Sequence, residues 1–428
     1  MGLLPTTSSC FGILARWFVA GRPSGEANRV RCFMRSRMTS ATPDPTNLVL
    51  VGGGHAHLFV LRAFGLDPLP GVRLTLIAKE AHAAYSGMLP GVLAGTYRPE
   101  DGQIDLARLA DFAGAAFVHD EALTLDREAR AVVTREGARF PYDILSIDVG
   151  IVPDVAAIEG ARENALLVKP ISRLLSRWQD EAGRDRGDAA PSGAVVIGGG
   201  PAGFELAFAL RRRFSGLSPS RGNRQTALTL VSGPHLLSGL PKRARHLARR
   251  ALAEADIALV EGPPAKAVAR DRVELEDERS LASSLTLVAT AARPPAFLRE
   301  SGLAVDEKGY LKVSPTLQVE GSPTVFAAGD CVTLLGQERP KAGVFAVREG
   351  AVLADNLRRA LTGRNLRHYR AQSRFLVILT LGNGEAIAAR NGVAIRSRLA
   401  WWWKDRIDRS FVHQFGGGLP ERPPEDAS

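Results

Sequence analysis

Short unbroken apolar runs alternate along this chain with stretches of helical spacing, and the alternation recurs. Residues 47–54, NLVLVGGG, form an apolar run that ends in glycines, HAHLFVLRAFG (55–65) follows with helix-compatible spacing, and GVRLTLIAK (71–79) is a second apolar run beyond a proline-bearing turn. Such runs closed by turn residues predict strands, and the spacing between them predicts a helix, so residues 47–79 read as a βαβ unit. FPYDILSIDVG (140–150) is a further predicted strand ending on glycine, and a hairpin or three-stranded antiparallel excursion is expected within residues 112–140.

The polar tract RDRGDAAPSG (184–193) is a linker candidate. Beyond it the opening pattern returns: AVVIGGGPAGFELAFALRRR (194–213) predicts strand, glycine turn and helix, and TALTLVSG (226–233) the next strand. This second unit is expected to close near SLTLVATAARP (284–294), after the strand-like DRVELED (271–277). SPTVFAAGD (322–330) is one more strand, ending in Gly-Asp, with a helix predicted from Gly343 to Leu361. That last piece is too short to stand alone, so it is assigned back to the first unit, with the second unit inserted between the halves. FLVILTLGNGEAIAARNG (375–392) is strand-like with a turn at Asn383-Gly384, RLAWWWKDRIDRSFVHQF (398–415) follows, and GGGLPERPPEDAS (416–428) reads as a disordered tail.

Composition changes this picture little. With 428 residues, 45% hydrophobic and 23% charged, the chain suits two or three soluble globular domains. The net charge of +10 is partly local, because residues 1–40 hold Arg16, Arg22, Arg29, Arg31, Arg35 and Arg37 against Glu26. No arginine-rich repeat, zinc-finger spacing or RNA-binding aromatic motif accompanies it, and no nucleic-acid partner is expected. Residues 1–40 fit an organelle-targeting leader, an extension ahead of a start at Met38, or a disordered arm. No stretch approaches the roughly 20 apolar residues that cross a bilayer. The expected location is therefore cytoplasmic or peripheral to a membrane. Cys10, Cys32 and Cys331 form no CxxC pair, which argues against a local dithiol, and Cys331 reads as a packed thiol. No metal site is expected.

The glycine turns carry the candidate chemistry. A dinucleotide fold needs glycines where its first strand turns into a helix, because the pyrophosphate approaches the backbone there and meets the helix N-terminus. Gly52 and Gly54 hold the first two positions of one such turn, and His57 stands at the third, where a small residue is usual. Gly198, Gly200 and Gly203 fill all three positions of the second. The strand after the second turn ends near Ser232 rather than at a carboxylate, with His235, Lys242 and Arg243 close behind, so NADH and NADPH both stay open. At the first site Glu80 follows the equivalent strand end, as a ribose contact or a surface charge. Asp330 behind Gly329 suits a flavin ribityl hydroxyl. The expected fold class is α/β: two Rossmann-like FAD/NAD(P)-binding domains, the second inserted in the first, plus a small α+β C-terminal domain. Expected boundaries are 1–45 for the leader or arm, 46–180 with 290–365 for the FAD domain, 190–289 for the NAD(P) domain, 366–418 for the C-terminal domain and 419–428 for the tail.

With these motifs the chain resembles the FAD/NAD(P)-binding pyridine nucleotide oxidoreductase superfamily, which includes the type II NADH dehydrogenases, over about residues 47–365. It is similar, more closely, to the oxidoreductase module fused ahead of selenophosphate synthetase (selenide, water dikinase), on VGGGHAH (51–57), AYSGMLPG (84–91), YDILSIDVG (142–150), VKPI (168–171), FAAGD (326–330), KAGVFAVREG (341–350) and WWKDRIDRSFVHQF (402–415). The synthetase half is absent, and its activity is not carried over. The resemblance implies FAD extended in the first domain with the nicotinamide of NAD(P)H stacking on its ring. It also implies that Gly150, Gly329 and Asp330 line the flavin crevice, and that Lys341, Gly343 and Val344 bring a helix N-terminus to the pyrimidine edge. Glu205 matches a carboxylate near the nicotinamide, with a solvent-exposed first-turn glutamate as the alternative. Tyr85, Ser86 and Met88 are either a loop approaching the flavin or ordinary packing.

The implied chemistry is hydride transfer from NAD(P)H to flavin, then electron transfer to a second substrate, with Glu205 and Lys341 as catalytic candidates and a quinone as the leading acceptor. A redox-sensing flavoprotein, a selenium- or sulfur-compound oxidoreductase and a nucleotide-binding scaffold without flavin are the competing readings. Trp401, Trp402 and Trp403, beside Lys404, Arg406 and Arg409, fit a lipid-facing surface or, preferably, a seal between the C-terminal and flavin domains. Oligomeric state is left open.

Overall fold

A computed structural model describes residues 44–183, 193–215, 226–290, 292–337 and 339–421. The chain opens with β1 (Thr46–Val51), α1 (His55–Leu66), β2 (Val72–Ala78), β3 (Ala116–His119) and β4 (Ile144–Ile147). After Leu166–Leu167 come β5 (Gly193–Ile197), α2 (Pro201–Ser215), β6 (Ala227–Gly233), α3 (Lys242–Glu254), β7 (Ile257–Glu261) and β8 (Leu285–Val288). It continues through β9 (Ser322–Ala327) and α4 (Gly343–Leu361), and ends in β10 (Val377–Thr380), β11 (Ala386–Arg390), β12 (Val393–Ser397) and α5 (Arg398–His413).

Two separate sheets organise these elements. The first has eight strands, in the order Val332–Leu334, Leu311–Val313, Gln318–Val319, β9, β4, β1, β2, β3. β1 runs parallel to β2 and β4, with Leu50 opposite Ser146 and Val51 opposite Ile147. β9 pairs in parallel with β4, so the chain returns to the first sheet only after completing the second. The second sheet has five parallel strands, in the order Leu166–Leu167, β8, β5, β6, β7. β1 and β5 are apolar and buried because parallel sheets carry cover on both faces. α1 and α4 cover the first sheet together, and their approach is close: a Cβ at Gly350 would stand 2.6 Å from the Phe59 ring. The excursion expected within residues 112–140 is a three-stranded antiparallel sheet, Ala122–Asp126, Ala131–Thr134 and Arg139–Pro141.

The C-terminal segment bridges the two halves. β10, β11 and β12 form an antiparallel sheet whose Leu379, Ile387 and Ala394 join the core under α2 and α3. Phe411 of α5 and Phe415 join the core of the first sheet. Two expectations need correction here. Trp402 and Trp403 do not seal domains, being 57% and 47% exposed, while the half-buried Trp401 packs on a small alanine cluster. Successive helical residues are rotated by about 100°, so three adjacent tryptophans cannot all face one core. Nor are residues 416–419 part of a disordered tail: the Gly418 N–H donates to the His413 carbonyl at 2.7 Å, and Leu419 packs against the first core. The candidate leader, linker residues 184–192 and residues 422–428 lie outside the described residues. Among the described residues no helix is long and apolar enough to cross a membrane.

Candidate active site

The first glycine turn is built around polar side chains. Gly52 has φ +97°, and a Cβ there or at Gly54 would overlap Asp148. His57, fully buried, fills the third position: its Nδ1 donates to the Gly52 carbonyl at 2.6 Å, which leaves Nε2 to accept from the Ser146 hydroxyl at 2.9 Å. Burial lowers the imidazole pKa to about 4, so the ring is neutral. Asp148 Oδ2 accepts the backbone N–H groups of Ala56 and His57 at 2.7 and 3.2 Å, in the first turn of α1. Burial pushes this carboxyl up to about 8 against the pull of those two N–H groups.

The second turn keeps its glycines for steric reasons. Gly198 has φ +137° and sits against the Ala289 carbonyl, and a Cβ at Gly203 would overlap the Gly198 carbonyl. Gly200 has open space beside it, the room a pyrophosphate needs. Ser232, at the end of β6, is buried, whereas His235, Lys242 and Arg243 are exposed. Sheet register makes the two turns comparable: Val196 faces Leu287 as Leu50 faces Ser146, and Gly198 meets Ala289 as Gly52 meets Asp148. Gly203, Leu287 and Ala289 thus correspond to His57, Ser146 and Asp148.

β4 and β9 end side by side, where the crevice expected for a flavin falls. Gly150, at φ +67°, borders open space. The Gly329 N–H donates to Glu349 Oε2 at 2.8 Å, and Glu349 pairs with Arg339 at 2.7 Å, both nearly inaccessible to solvent. Asp330 Oδ2 lies 3.3 Å from Lys169 Nζ, and its Oδ1 is buried without a hydrogen-bond partner among the described residues. Gly343 and Val344 open α4, with Gly343 near the His55 ring. An open glycine, a buried acceptor and a helix N-terminus at one crevice fit the ribityl hydroxyls and the pyrimidine edge of FAD. Lys341 is committed elsewhere: its ammonium donates to the Val332 carbonyl, approaches Thr333 Oγ1 and lies 4.0 Å from the Tyr310 ring centroid. Burial and then Arg339 lower its pKa to about 8. Glu80 is half-buried just past β2.

A polar cavity of about 280 Å³ lies between α2, the 87–97 segment and the C-terminal unit. Glu205, Tyr97, Arg212, Trp401, Lys404 and Asp408 line it. Glu205 is no loose first-turn glutamate: Oε1 accepts the Thr380 N–H at 2.9 Å and its hydroxyl at 3.0 Å. Burial raises its pKa above the ordinary carboxylate range, with Lys404 opposing. Lys404 Nζ donates to Asp408 Oδ2 at 2.6 Å and to the Gly87 carbonyl at 2.8 Å. Burial alone would lower its pKa, yet Glu205 and Asp408 outweigh that and raise it. Tyr85 donates to Asp408 Oδ1 at 3.1 Å while its ring stacks on Phe411 and meets His55 edge-on. Met88 is plain core packing, and Ser86 is exposed near Gly343.

The structure therefore gathers Gly52, Gly54 and His57 at one turn, Gly198, Gly200 and Gly203 at another, and Gly150, Gly329, Asp330, Gly343 and Val344 around the crevice. Glu205 and Lys341 face different surroundings. Sequence reasoning missed Asp148, Glu349, Arg339 and Asp408, and it placed Lys404 only beside the tryptophans of a lipid-facing or domain-sealing segment. One signal was available: an acid directly after the apolar run ILSI, and another among the apolar positions of α4, are charges where burial demands a partner. Cys331 is a buried thiol pushed up to about 12, as expected, and is the one cysteine among the described residues.

Known proteins share the fold and part of the sequence. The chain is 25% identical to the type II NADH:quinone oxidoreductase of Staphylococcus epidermidis over 393 residues, covering 87% of this chain and 97% of that one. The same enzyme of Staphylococcus aureus matches at 25% over 396 residues with the same coverage. In fold, it superposes on the sulfide:quinone oxidoreductase of Aquifex aeolicus with a TM-score of 0.73 at 19% identity, covering 87% and 92% of the two chains. For NDH2 of Plasmodium falciparum in complex with NADH, the TM-score is 0.70 at 14% identity, covering 88% and 99%. Residues 46–350 match the family model described as pyridine nucleotide-disulphide oxidoreductase, and the chain belongs to that family as an FAD- and NAD(P)-dependent oxidoreductase.

Proposed function

We propose that NAD(P)H reduces FAD at the crevice and that a quinone, approaching through the Glu205–Lys404 cavity, takes the electrons. When bound, FAD accepts a hydride and passes its electrons on. The observation that carries the acceptor reading is the buried Lys404–Asp408 pair beside Glu205. Reduction of a quinone to a quinol consumes two protons, and this cavity holds an ammonium and a carboxyl that keeps its proton further toward neutral pH than usual. Gly52, Gly54, His57 and Glu80 are assigned to the adenosine diphosphate half of FAD, and Gly150, Gly329, Asp330, Gly343 and Val344 to its flavin half. Gly198, Gly200 and Gly203 are assigned to NAD(P)H. Lys341, held against Val332 and Tyr310, is assigned to positioning the turn before α4 rather than to proton transfer.

Peripheral membrane contact belongs to the same reading. Leu399, Trp402, Trp403 and Ile407 of α5 are exposed together with Val393 and Ile395 of β12; Arg398 and Arg406 lie among them in sequence, and Arg409 follows. Such an aromatic and basic face suits an anionic bilayer surface, where a lipid-soluble quinone resides. The motifs shared with the selenophosphate-synthetase-linked module support a placement beside that group, since His57, Asp148, Tyr85 and Asp408 all fall within them. The deciding experiment offers quinone, oxygen, ferredoxin and sulfur compounds in parallel to holoprotein reduced with NADH or NADPH. Fastest turnover with quinone, slowed in Lys404→Met while flavin bleaching by NAD(P)H persists, is expected. Absence of quinone turnover overturns the acceptor assignment.

A further inference from the structure

We infer that Asp148 makes FAD binding proton-linked: its carboxyl shares the N-terminus of α1 with the FAD pyrophosphate and takes up a proton when FAD binds. In a glycine turn of this kind the pyrophosphate sits at the N-terminal end of the first helix, drawn by its N–H groups and positive end. Here two of those N–H groups, from Ala56 and His57, already point at a buried carboxylate oxygen. An ionised Asp148 neutralises the helix end that should attract the diphosphate, and it repels the diphosphate directly. A protonated Asp148 still accepts both N–H groups through its carbonyl oxygen but no longer cancels the positive helix end or repels the diphosphate. The neutral acid is therefore the form compatible with FAD.

The groups that face Asp148 come from three elements. From α1, His57 is neutral, tied to Gly52 and Ser146. From the turn after β9, Asp330 adds repulsion although Lys169 pairs with it, and the Cys331 thiol stays protonated. From α4, Glu349 also adds repulsion; burial raises its own carboxyl to about 7 despite the ion pair with Arg339, and Lys341 beside it is lowered to about 8, so Glu349→Gln is the variant that separates Asp148 from them. No cation is in contact with Asp148 among the interactions of the described residues. At the second turn the equivalent position is Ala289, which has no charge to titrate. The proposal also accounts for a histidine where a glycine is usual: an imidazole at position 57 and a hydroxyl at 146 form a polar floor beside the carboxyl, in place of close helix–strand contact.

The test uses apoprotein reconstituted with FAD. The FAD Kd is measured by flavin fluorescence quenching from about pH 6 to about pH 9, and proton uptake by calorimetry in buffers of differing ionisation heat. For wild type, the Kd should weaken with pH, approaching about tenfold per pH unit above the Asp148 titration, with close to one proton taken up there. Asp148→Asn should bind FAD with a flat pH profile and no proton uptake, and Glu349→Gln should keep the wild-type slope. A flat wild-type profile, an Asp148→Asn variant that keeps the slope, or a Glu349→Gln variant that loses it overturns the proposal. If Asp148→Asn fails to fold, the proton count of Glu349→Gln decides, since uptake lost with Glu349 removed is then a refutation.

Discussion

The two glycine turns solve one steric problem in opposite ways. At the second, the helix is brought against the strand by removing side chains, so that Gly203 lies directly on the Gly198 carbonyl. At the first, the same carbonyl position is met by an imidazole nitrogen at 2.6 Å, and a hydroxyl and a carboxyl replace the leucine and alanine of the other copy. The difference teaches that the glycine fingerprint reports on packing before it reports on ligand. A histidine can occupy the third position wherever hydrogen bonds satisfy both ring nitrogens in a dry setting.

That comparison can be broken at several points. Gly203→Val should be the most damaging change, destabilising the protein by about 4 kcal/mol through backbone overlap that no rotamer relieves, as read from urea midpoints. His57→Ala should cost somewhat less, about 3 kcal/mol, from a cavity and two lost hydrogen bonds, and adding a glycine there should not rescue it. If His57→Gly were instead neutral, the first turn would be an ordinary glycine turn in disguise. Lys404→Met should slow acceptor turnover by about 30-fold while leaving the rate of flavin bleaching by NAD(P)H near wild type. Ser146→Ala should cost about 1 kcal/mol, the value of one buried hydrogen bond.

Stability against pH sharpens the same contrast. Asp148 has its folded pKa raised to about 8, so its neutral form favours the folded apoprotein below the unfolded carboxylate range, and that contribution is lost as pH rises through about 8. Apo wild type should therefore fall behind apo Asp148→Asn in denaturation midpoint as pH is raised across that interval. The smallest effect belongs to the exposed face of α5: Trp402→Ala with Trp403→Ala should shift stability by no more than about 0.5 kcal/mol while weakening retention on anionic vesicles.

Where periodicity sets structure, the chain was easy to read. β1, the second glycine turn and α4 from Gly343 to Leu361 lie where hydrophobic spacing placed them, because buried parallel strands and amphipathic helices must show it. The second sheet was legible from the recurrence of the glycine motif, and its insertion from a last strand–helix piece too short to stand alone. The polar interior was not. Asp148 meets Ala56 and His57 from 92 and 91 residues away, a pairing that local spacing does not encode. Lys404 and Asp408 stand four residues apart on α5, and only the chain folding back over them makes the pair buried. Trp401, Trp402 and Trp403 misled for the converse reason, since adjacent helical positions diverge too widely to share one buried face.

Most of this account turns on electrons leaving a bound pyridine nucleotide for a protein-held flavin, and anaerobic stopped-flow absorbance reads that step directly. Mixing the purified yellow holoprotein with NADH or NADPH should bleach the visible flavin band in a single turnover, before any acceptor is added. Holoprotein that carries FAD but keeps its oxidised spectrum in the presence of both nucleotides would contradict it.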